Sequence, residues 1–142
     1  GKFSKGIKML EKDLWIFADN GRFFSLYYLQ AVVAETYFRI AIRDGTIGLT
    51  DIIKNLGFFL TKLPWAQRRA ESYLNEIIKV GWEVESQAFV HGQALLNLGL
   101  LHRLNKKLLP ARECFTKAIQ ILEHCSSKPT LQKAQEALAS VN

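Results

Sequence analysis

The strongest constraint on the fold lies in NLGLLHRLNKKLLPARECFTKAIQIL, the stretch from Asn97 to Leu122. It carries two apolar stripes at helical spacing, with a basic turn between them. Gly99 lies inside the first stripe, although a glycine within a helix costs about 1 kcal/mol relative to alanine. Ala111, Phe115 and Ala118 recur at helical spacing in the second stripe. These residues predict two antiparallel helices that cross closely, with Phe115 filling the space toward the next helix.

The same periodicity continues along most of the chain. Apolar residues recur at steps of three and four, and no long run alternates between apolar and polar positions, so strands are not predicted. Pro64, Pro110 and Pro129 each stand where a helix would begin. The pattern predicts an all-α chain of about six to seven helices, over residues 3–18, 22–43, 51–62, 64–82, 86–104, 110–124 and 129–140.

Length and composition favour a single domain over residues 1–142 with a sizeable core. The chain has 142 residues, of which 49% are hydrophobic, and this length is typical of one domain. No window approaches the roughly 18 uninterrupted apolar residues of a membrane helix, so no membrane partner is expected. Cys114 and Cys125 are too far apart on one helix to pair, which predicts free thiols and favours the cytoplasm.

The net charge of +6 raises the question of a nucleic-acid partner. The tightest group of cations is Arg103, Lys106, Lys107 and Arg112. Nucleic-acid surfaces usually interleave such charge with aromatic side chains, whereas these cations lie at a helix end and a turn, where cations suit the helix dipole. The sequence therefore favours a solvated turn over a nucleic-acid site.

Catalytic and metal-binding patterns are missing from the sequence. Candidate acids and bases such as Glu35, Glu71 and Glu113 occupy ordinary helix positions. There is no Ser-His-Asp or Cys-His arrangement and no phosphate-binding loop, and no two histidines have the i, i+4 spacing of a helical metal site. We expect no enzyme activity, no cofactor and no metal.

The stretch NLGLLHRLNKKLLPARECFTKAI resembles a tetratricopeptide repeat, a helix–turn–helix unit of about 34 residues. Leu98 and Gly99 match the Leu-Gly pair of its first helix, and Ala111, Phe115 and Ala118 match the Ala…Phe…Ala of its second. A histidine stands where a tyrosine is usual, a leucine replaces the early tryptophan, and the closing proline is absent. The resemblance implies a TPR-like, right-handed stack of antiparallel helix pairs.

Weaker matches lie upstream, in the stripes Val33, Ala34 and Tyr37, and Ala70, Leu74 and Ile77. Residues 44–63, between these stripes, fit either a helical insertion or a degenerate repeat. The first helix resembles a second repeat helix whose partner is missing, and the last helix resembles a cap. The chain is therefore interpreted as the C-terminal part of a longer array.

The succession of NLGFFLTKLPWAQRRAESYLNEIIKVGWEVES, LGLLHRLNKK and ARECFTKAIQILE also resembles the C-terminal repeat region of bacterial multidomain signalling proteins. Those proteins carry an adenylate/guanylate cyclase-type or ATPase domain upstream. The likeness lies largely in packing residues, so it supports architecture better than activity. It implies a non-catalytic protein–protein interaction scaffold, regulatory within a larger signalling protein.

In such repeats the first helices line a concave groove that binds a peptide or helix of a partner. The resemblance implies a groove formed by Tyr28, Glu35, Phe38, Arg39, Asn55, Gln93, Asn97, Leu100 and Arg103. Asn97 and Arg103 stand where family members can clamp a terminal carboxylate, whereas Phe38 and Leu100 also fit ordinary core contacts.

The alternative function is homo-oligomerisation through the N-terminal helix, which would give a homodimer. Ile7, Leu10 and Leu14 form an apolar face on that helix. Such a face needs a cover, and a second copy of the chain could provide it.

Overall fold

The computed structural model describes residues 2–19, 23–42, 56–80, 85–125 and 127–141. These residues form the helices α1 (Lys2–Asp19), α2 (Phe23–Ile42), α3 (Leu56–Val80), α4 (Glu85–Leu104), α5 (Leu108–Leu122) and α6 (Lys128–Ala139). No strand occurs among them, and neighbouring helices pack on one another. The prediction of an all-α fold is confirmed.

The helix bounds differ from the prediction mainly at Pro64. The predicted helices 51–62 and 64–82 are replaced by the continuous α3, so Pro64 lies inside a helix and not at its start. Residues 43–55, which include the start of the predicted helix 51–62, lie outside the described part. An internal proline removes one backbone hydrogen bond and costs about 3 kcal/mol. Ala66, Ala70 and Ile77 follow at helical spacing and are buried, and burial of this stripe offsets the loss.

The chain divides into two compact units, which we call the first unit (Gly1–Tyr73) and the second unit (Leu74–Asn142). In the first unit α1 packs on α2, and in the second α5 packs on both α4 and α6. Helix α3 contributes residues to both units. The single domain expected over residues 1–142 stays a prediction.

Two glycines set the register of α4 and α5. A Cβ atom added to Gly92 would lie 2.7 Å from Cγ of Leu122, and one added to Gly99 would lie 2.5 Å from Cε1 of Phe115. An early residue of α4 thus meets the end of α5, and a later one meets its middle, so the two helices are antiparallel. The close packing predicted at Gly99 is confirmed, and Gly92 repeats it two turns earlier.

Phe115 is fully buried in a cluster shared by α4, α5 and α6. The cluster consists of Leu95, Leu96, Ala111, Phe115, Ala118, Leu122, Ala134 and Ala137. The sequence predicted that Phe115 fills space toward the following helix. Its ring also contacts Gly99 of the preceding helix, so one side chain serves both interfaces.

Candidate functional site

A tight turn joins α4 to α5, and backbone hydrogen bonds hold it. The Lys106 amide donates to the Arg103 carbonyl, and the Lys107 amide to the His102 carbonyl, both at 2.9 Å. This pair of bonds is a Schellman motif, in which glycine or asparagine usually takes the left-handed position. Lys106 takes that position here, with φ of 59°. A side chain in this conformation costs roughly 1–2 kcal/mol.

Three leucines are exposed at this turn. Leu104 is 55% exposed, Leu108 52% and Leu109 75%. Every residue from 103 to 110 is exposed, and we call residues 103–112 the hairpin tip. Large apolar side chains gathered on an exposed surface mark interaction sites more often than isolated ones do. The hairpin tip is therefore our candidate functional site.

The hairpin tip is also cationic. Its exposed cations are Arg103, Lys106, Lys107 and Arg112. No aspartate or glutamate occurs from residue 87 to residue 112, and the nearest carboxylates in sequence are Glu85, at the start of α4, and Glu113, directly after the tip. Clustered charge of one sign raises the local concentration of ligands of the opposite sign. The tip is thus suited to a ligand that is both anionic and apolar.

Four of the predicted groove residues lie on α4, in the second unit. Asn97 is 3% exposed, and its Oδ1 accepts a hydrogen bond from Gln93 Nε2 at 3.1 Å. Leu100 packs against the core cluster. Arg103 Nη1 donates to Oγ of Ser140, the residue directly after α6, at 2.5 Å. A terminal carboxylate would have to reach the buried Asn97 amide, which disfavours the carboxylate clamp.

The other predicted groove residues are Tyr28, Glu35, Phe38 and Arg39 of the first unit, and Asn55, which lies outside the described residues. Phe38 is 4% exposed, as the core interpretation requires, and Tyr28 is partly buried. Arg39 Nε donates to Glu35 Oε1 at 2.8 Å. Glu35 and Arg39 therefore form an ion pair one turn apart on α2. These two charges of the predicted groove are thus paired with each other.

The apolar face of α1 that suggested self-association is covered by the chain itself. Ile7 is 5% and Leu14 is 7% exposed, and Leu10 is partly buried. Other residues of α1 are exposed, including Met9 (56%) and Trp15 (78%). Exposed lysines on the same helix are Lys5, Lys8 and Lys12.

A polar network joins three helices of the first unit. Glu11 Oε1 accepts hydrogen bonds from the Tyr37 hydroxyl at 2.7 Å and from Arg69 Nη1 at 3.0 Å. The Tyr37 ring stacks on Tyr73, with centroids 6.2 Å apart and planes inclined by 12°. Burial and then the hydrogen bond to Glu11 raise the pKa of Tyr37 above its ordinary value. These groups tie α1, α2 and α3 together, which is a structural role.

Other chemical features of the described residues are sparse. They contain no group of three or more His, Cys, Asp or Glu side chains that could hold a metal ion. Cys114 and Cys125 form no disulfide, and burial raises the pKa of Cys114. Among the described residues, Arg112, Glu113, Thr116, Lys117 and Gln120 of α5 line an open depression of about 410 Å³. No helix of the described residues has the length and apolar character needed to cross a bilayer.

No protein-family model, curated protein or solved structure matches the chain.

The sequence-based site missed the three leucines of the hairpin tip. A signal for them was present, because Leu108 and Leu109 follow directly on Lys106-Lys107 and precede the buried stripe that starts at Ala111. Leu109 falls outside that stripe, because Arg112 and Glu113 follow it at helical spacing, whereas Leu108 continues the stripe and is exposed nonetheless. The predicted groove was drawn from helix faces alone, and Arg103 is its only member in the hairpin tip.

Proposed function

We propose that the chain is a non-catalytic protein-interaction module that binds a partner protein through the hairpin tip. The observation that carries this proposal is the exposure of Leu104, Leu108 and Leu109, which flank one short turn. Fully burying a leucine is worth about 1.5–3 kcal/mol relative to leaving it in water. A partner that covers the three side chains gains part of this energy.

Packing and hydrogen bonds between helices hold the hairpin tip in place, which favours binding. The close contact of Gly99 with Phe115 sets the position of α4 against α5. Arg103 donates to Ser140, which caps the C-terminal end of α6, and the Ser140 hydroxyl donates to the Ala137 carbonyl at 2.6 Å. A site held on packed helices loses little conformational entropy when a partner binds.

The proposal includes membership of the tetratricopeptide family and a regulatory role within a larger cytoplasmic signalling protein. Helices α4 and α5 form an antiparallel pair with Gly99 against Phe115, which supports the family resemblance. The proposed cytoplasmic location follows from Cys114 and Cys125, which form no disulfide with each other and so suit a reducing compartment. The predicted groove is the weaker binding surface, because Phe38 and Asn97 are buried.

Two alternatives have less support. Homo-oligomerisation through α1 was suggested by an apolar face that needed a cover. The chain itself already buries Ile7 and Leu14 of that face, so this argument no longer supports it. The exposed Met9 and Trp15 remain available to it, but lysines on the same helix would repel those of a second copy. Nucleic-acid binding lacks aromatic stacking groups, since no Phe, Tyr or Trp occurs in residues 103–112.

The test is partner capture from extract of the source cells, read by mass spectrometry. The baits are the wild-type chain, Leu104→Ser/Leu109→Ser, and the control Met9→Ser/Val32→Ser, which alters two exposed apolar residues of the first unit. We expect partners that the wild type and the control retain and the tip variant loses. An Arg39→Glu bait tests the predicted groove in parallel. If a folded tip variant retains the same partners as the wild type, the tip does not bind them.

A further inference from the structure

We propose that the hairpin tip recognises an acidic, amphipathic segment of the partner protein. This inference rests on the proposed function and adds the chemistry of its ligand. In this arrangement apolar side chains of the segment cover Leu104, Leu108 and Leu109. Its carboxylates meet the cations that flank those leucines, Lys106, Lys107 and Arg112.

Charge complementarity selects this occupant. The tip combines exposed leucines with exposed cations, and no carboxylate occurs from residue 87 to residue 112. A neutral apolar segment would leave the cations without counter-charges beside a partly desolvated surface. A second copy of the tip would bring like charges together, which opposes association. An acidic, amphipathic segment can bury the leucines with its apolar face and pair the cations with its carboxylates.

The backbone at Lys106 supplies a second, independent observation. Its φ of 59° lies in the left-handed region, which glycine adopts without steric cost. Strained backbone positions cluster at functional sites. Lysine at this position keeps a cation at the centre of the tip, between Leu104 and Leu108, at a cost in stability. We therefore infer that the charge of Lys106 serves binding.

The side chains of the tip favour a protein over the other anionic surfaces in a cell. Single-stranded nucleic acids are usually held by aromatic side chains that stack on bases, and residues 103–112 contain none. Proteins often anchor at a lipid interface through Trp and Tyr, which the tip also lacks. Leucines have direct counterparts in the apolar face of a partner segment.

The size of the tip sets the expected affinity. A stable interface covers about 800 Å² on each partner, which is more than three partly exposed leucines and their neighbours provide. We expect a transient complex with a Kd in the micromolar range. Exposed charges contribute, so affinity falls as ionic strength rises.

The experiment uses two synthetic amphipathic peptides and fluorescence anisotropy with the full chain. The peptides share one leucine face and differ only in carrying glutamate or glutamine at the flanking positions. We expect the glutamate peptide to bind about tenfold more tightly at low salt, and this preference to shrink at high salt. Lys107→Gln/Arg112→Gln should remove most of the preference. The control Lys128→Gln/Lys133→Gln, on exposed positions of α6, should keep most of it.

Lys106 variants separate charge from backbone strain. Lys106→Gly should weaken binding of the glutamate peptide about two- to fivefold while raising the midpoint of urea unfolding. Lys106→Ala should weaken binding equally and leave the unfolding midpoint unchanged, because alanine keeps the strain. Unchanged binding in both variants would contradict the role given to Lys106.

The remaining outcomes distinguish this inference from the proposed function. Equal binding of both peptides, abolished by Leu104→Ser/Leu109→Ser, would overturn the acidic ligand and leave the tip as a binding site. If neither peptide binds, the acidic-segment inference is overturned, and leucine-dependent capture from extract decides separately on the proposed function. Tighter binding to phosphatidylserine vesicles than to the glutamate peptide, through the same cations, would replace the protein ligand with a lipid surface.

Discussion

The Phe115 ring of α5 packs directly against Gly99 of α4, in the space that a side chain at residue 99 would fill. An added Cβ on Gly99 would stand 2.5 Å from Cε1 and 2.7 Å from Cδ1 of the Phe115 ring, and 3.1 Å from Cβ of Cys114. The ring is fully buried, so it cannot move aside without disturbing the core. This contact sets how far α5 slides along α4, and with it the position of the hairpin tip.

Gly99→Ala should destabilise the protein. Alanine improves helix propensity by about 1 kcal/mol, but the overpacking against Phe115 costs about 1–3 kcal/mol, so the net effect is a loss. Urea unfolding followed by circular dichroism measures it. The control is Gly6→Ala, because a Cβ on Gly6 meets nothing within 4 Å, and this variant should gain up to about 1 kcal/mol. A gain at both positions would contradict the close approach.

Phe115→Ala should lower the free energy of unfolding by about 3–5 kcal/mol, because it leaves a cavity in the core cluster. The neighbouring Thr116→Ala serves as control. Thr116 is exposed and its hydroxyl donates to the Arg112 carbonyl of its own helix at 3.0 Å. The Thr116→Ala variant should therefore change the free energy of unfolding by no more than about 0.5 kcal/mol. A loss below about 1 kcal/mol for Phe115→Ala would mean that the ring is not a packing element.

Lys106→Gly should raise the free energy of unfolding by about 1 kcal/mol, because glycine takes the left-handed conformation without strain. The adjacent Lys107 has φ of −88°, where any residue is comfortable. Lys107→Gly relieves no such strain and adds flexibility to the unfolded chain, although glycine suits the N-cap position that Lys107 occupies, so its gain should be clearly smaller. Equal effects of the two variants in urea unfolding would contradict the turn geometry.

Alkaline pH should destabilise the first unit through its tyrosines. The pKa of Tyr37 is raised above the ordinary 10.0, first by burial and then by Glu11. The pKa of Tyr27 is raised to about 12 by burial and by Tyr28. The unfolded chain therefore loses these protons first. The stabilisation is fully present below about pH 10 and is lost as pH rises through the folded-state pKa values.

Tyr37→Phe is the variant that tests this dependence. Its free energy of unfolding should fall less steeply above pH 10 than that of the wild type, because one raised pKa has been removed. Comparing the two proteins across the same pH series cancels the titration of their shared lysines. Parallel slopes would show that Tyr37 is not held in its protonated form.

The helices were predictable because the periodicity of apolar residues is a local property. The bounds of α1, α2, α4, α5 and α6 lie within two residues of the predicted ones. The helix boundary predicted at Pro64 was wrong, because the local preference of proline for helix starts takes no account of tertiary packing. Packing of the buried residues of α3 stabilises a helix that continues past Pro64. The packing reason for Gly99 could be inferred because a glycine in an apolar stripe is costly.

The candidate site depended on information that no single helix carries. Sequence alone determined that the chain is helical and that α4 and α5 approach closely at Gly99. The tertiary structure decided that Asn97 is buried and Leu109 exposed, and that Lys106 takes the left-handed position of the turn. The physical reason is that a stripe shows which residues share a helix face, whereas burial depends on what packs across from it.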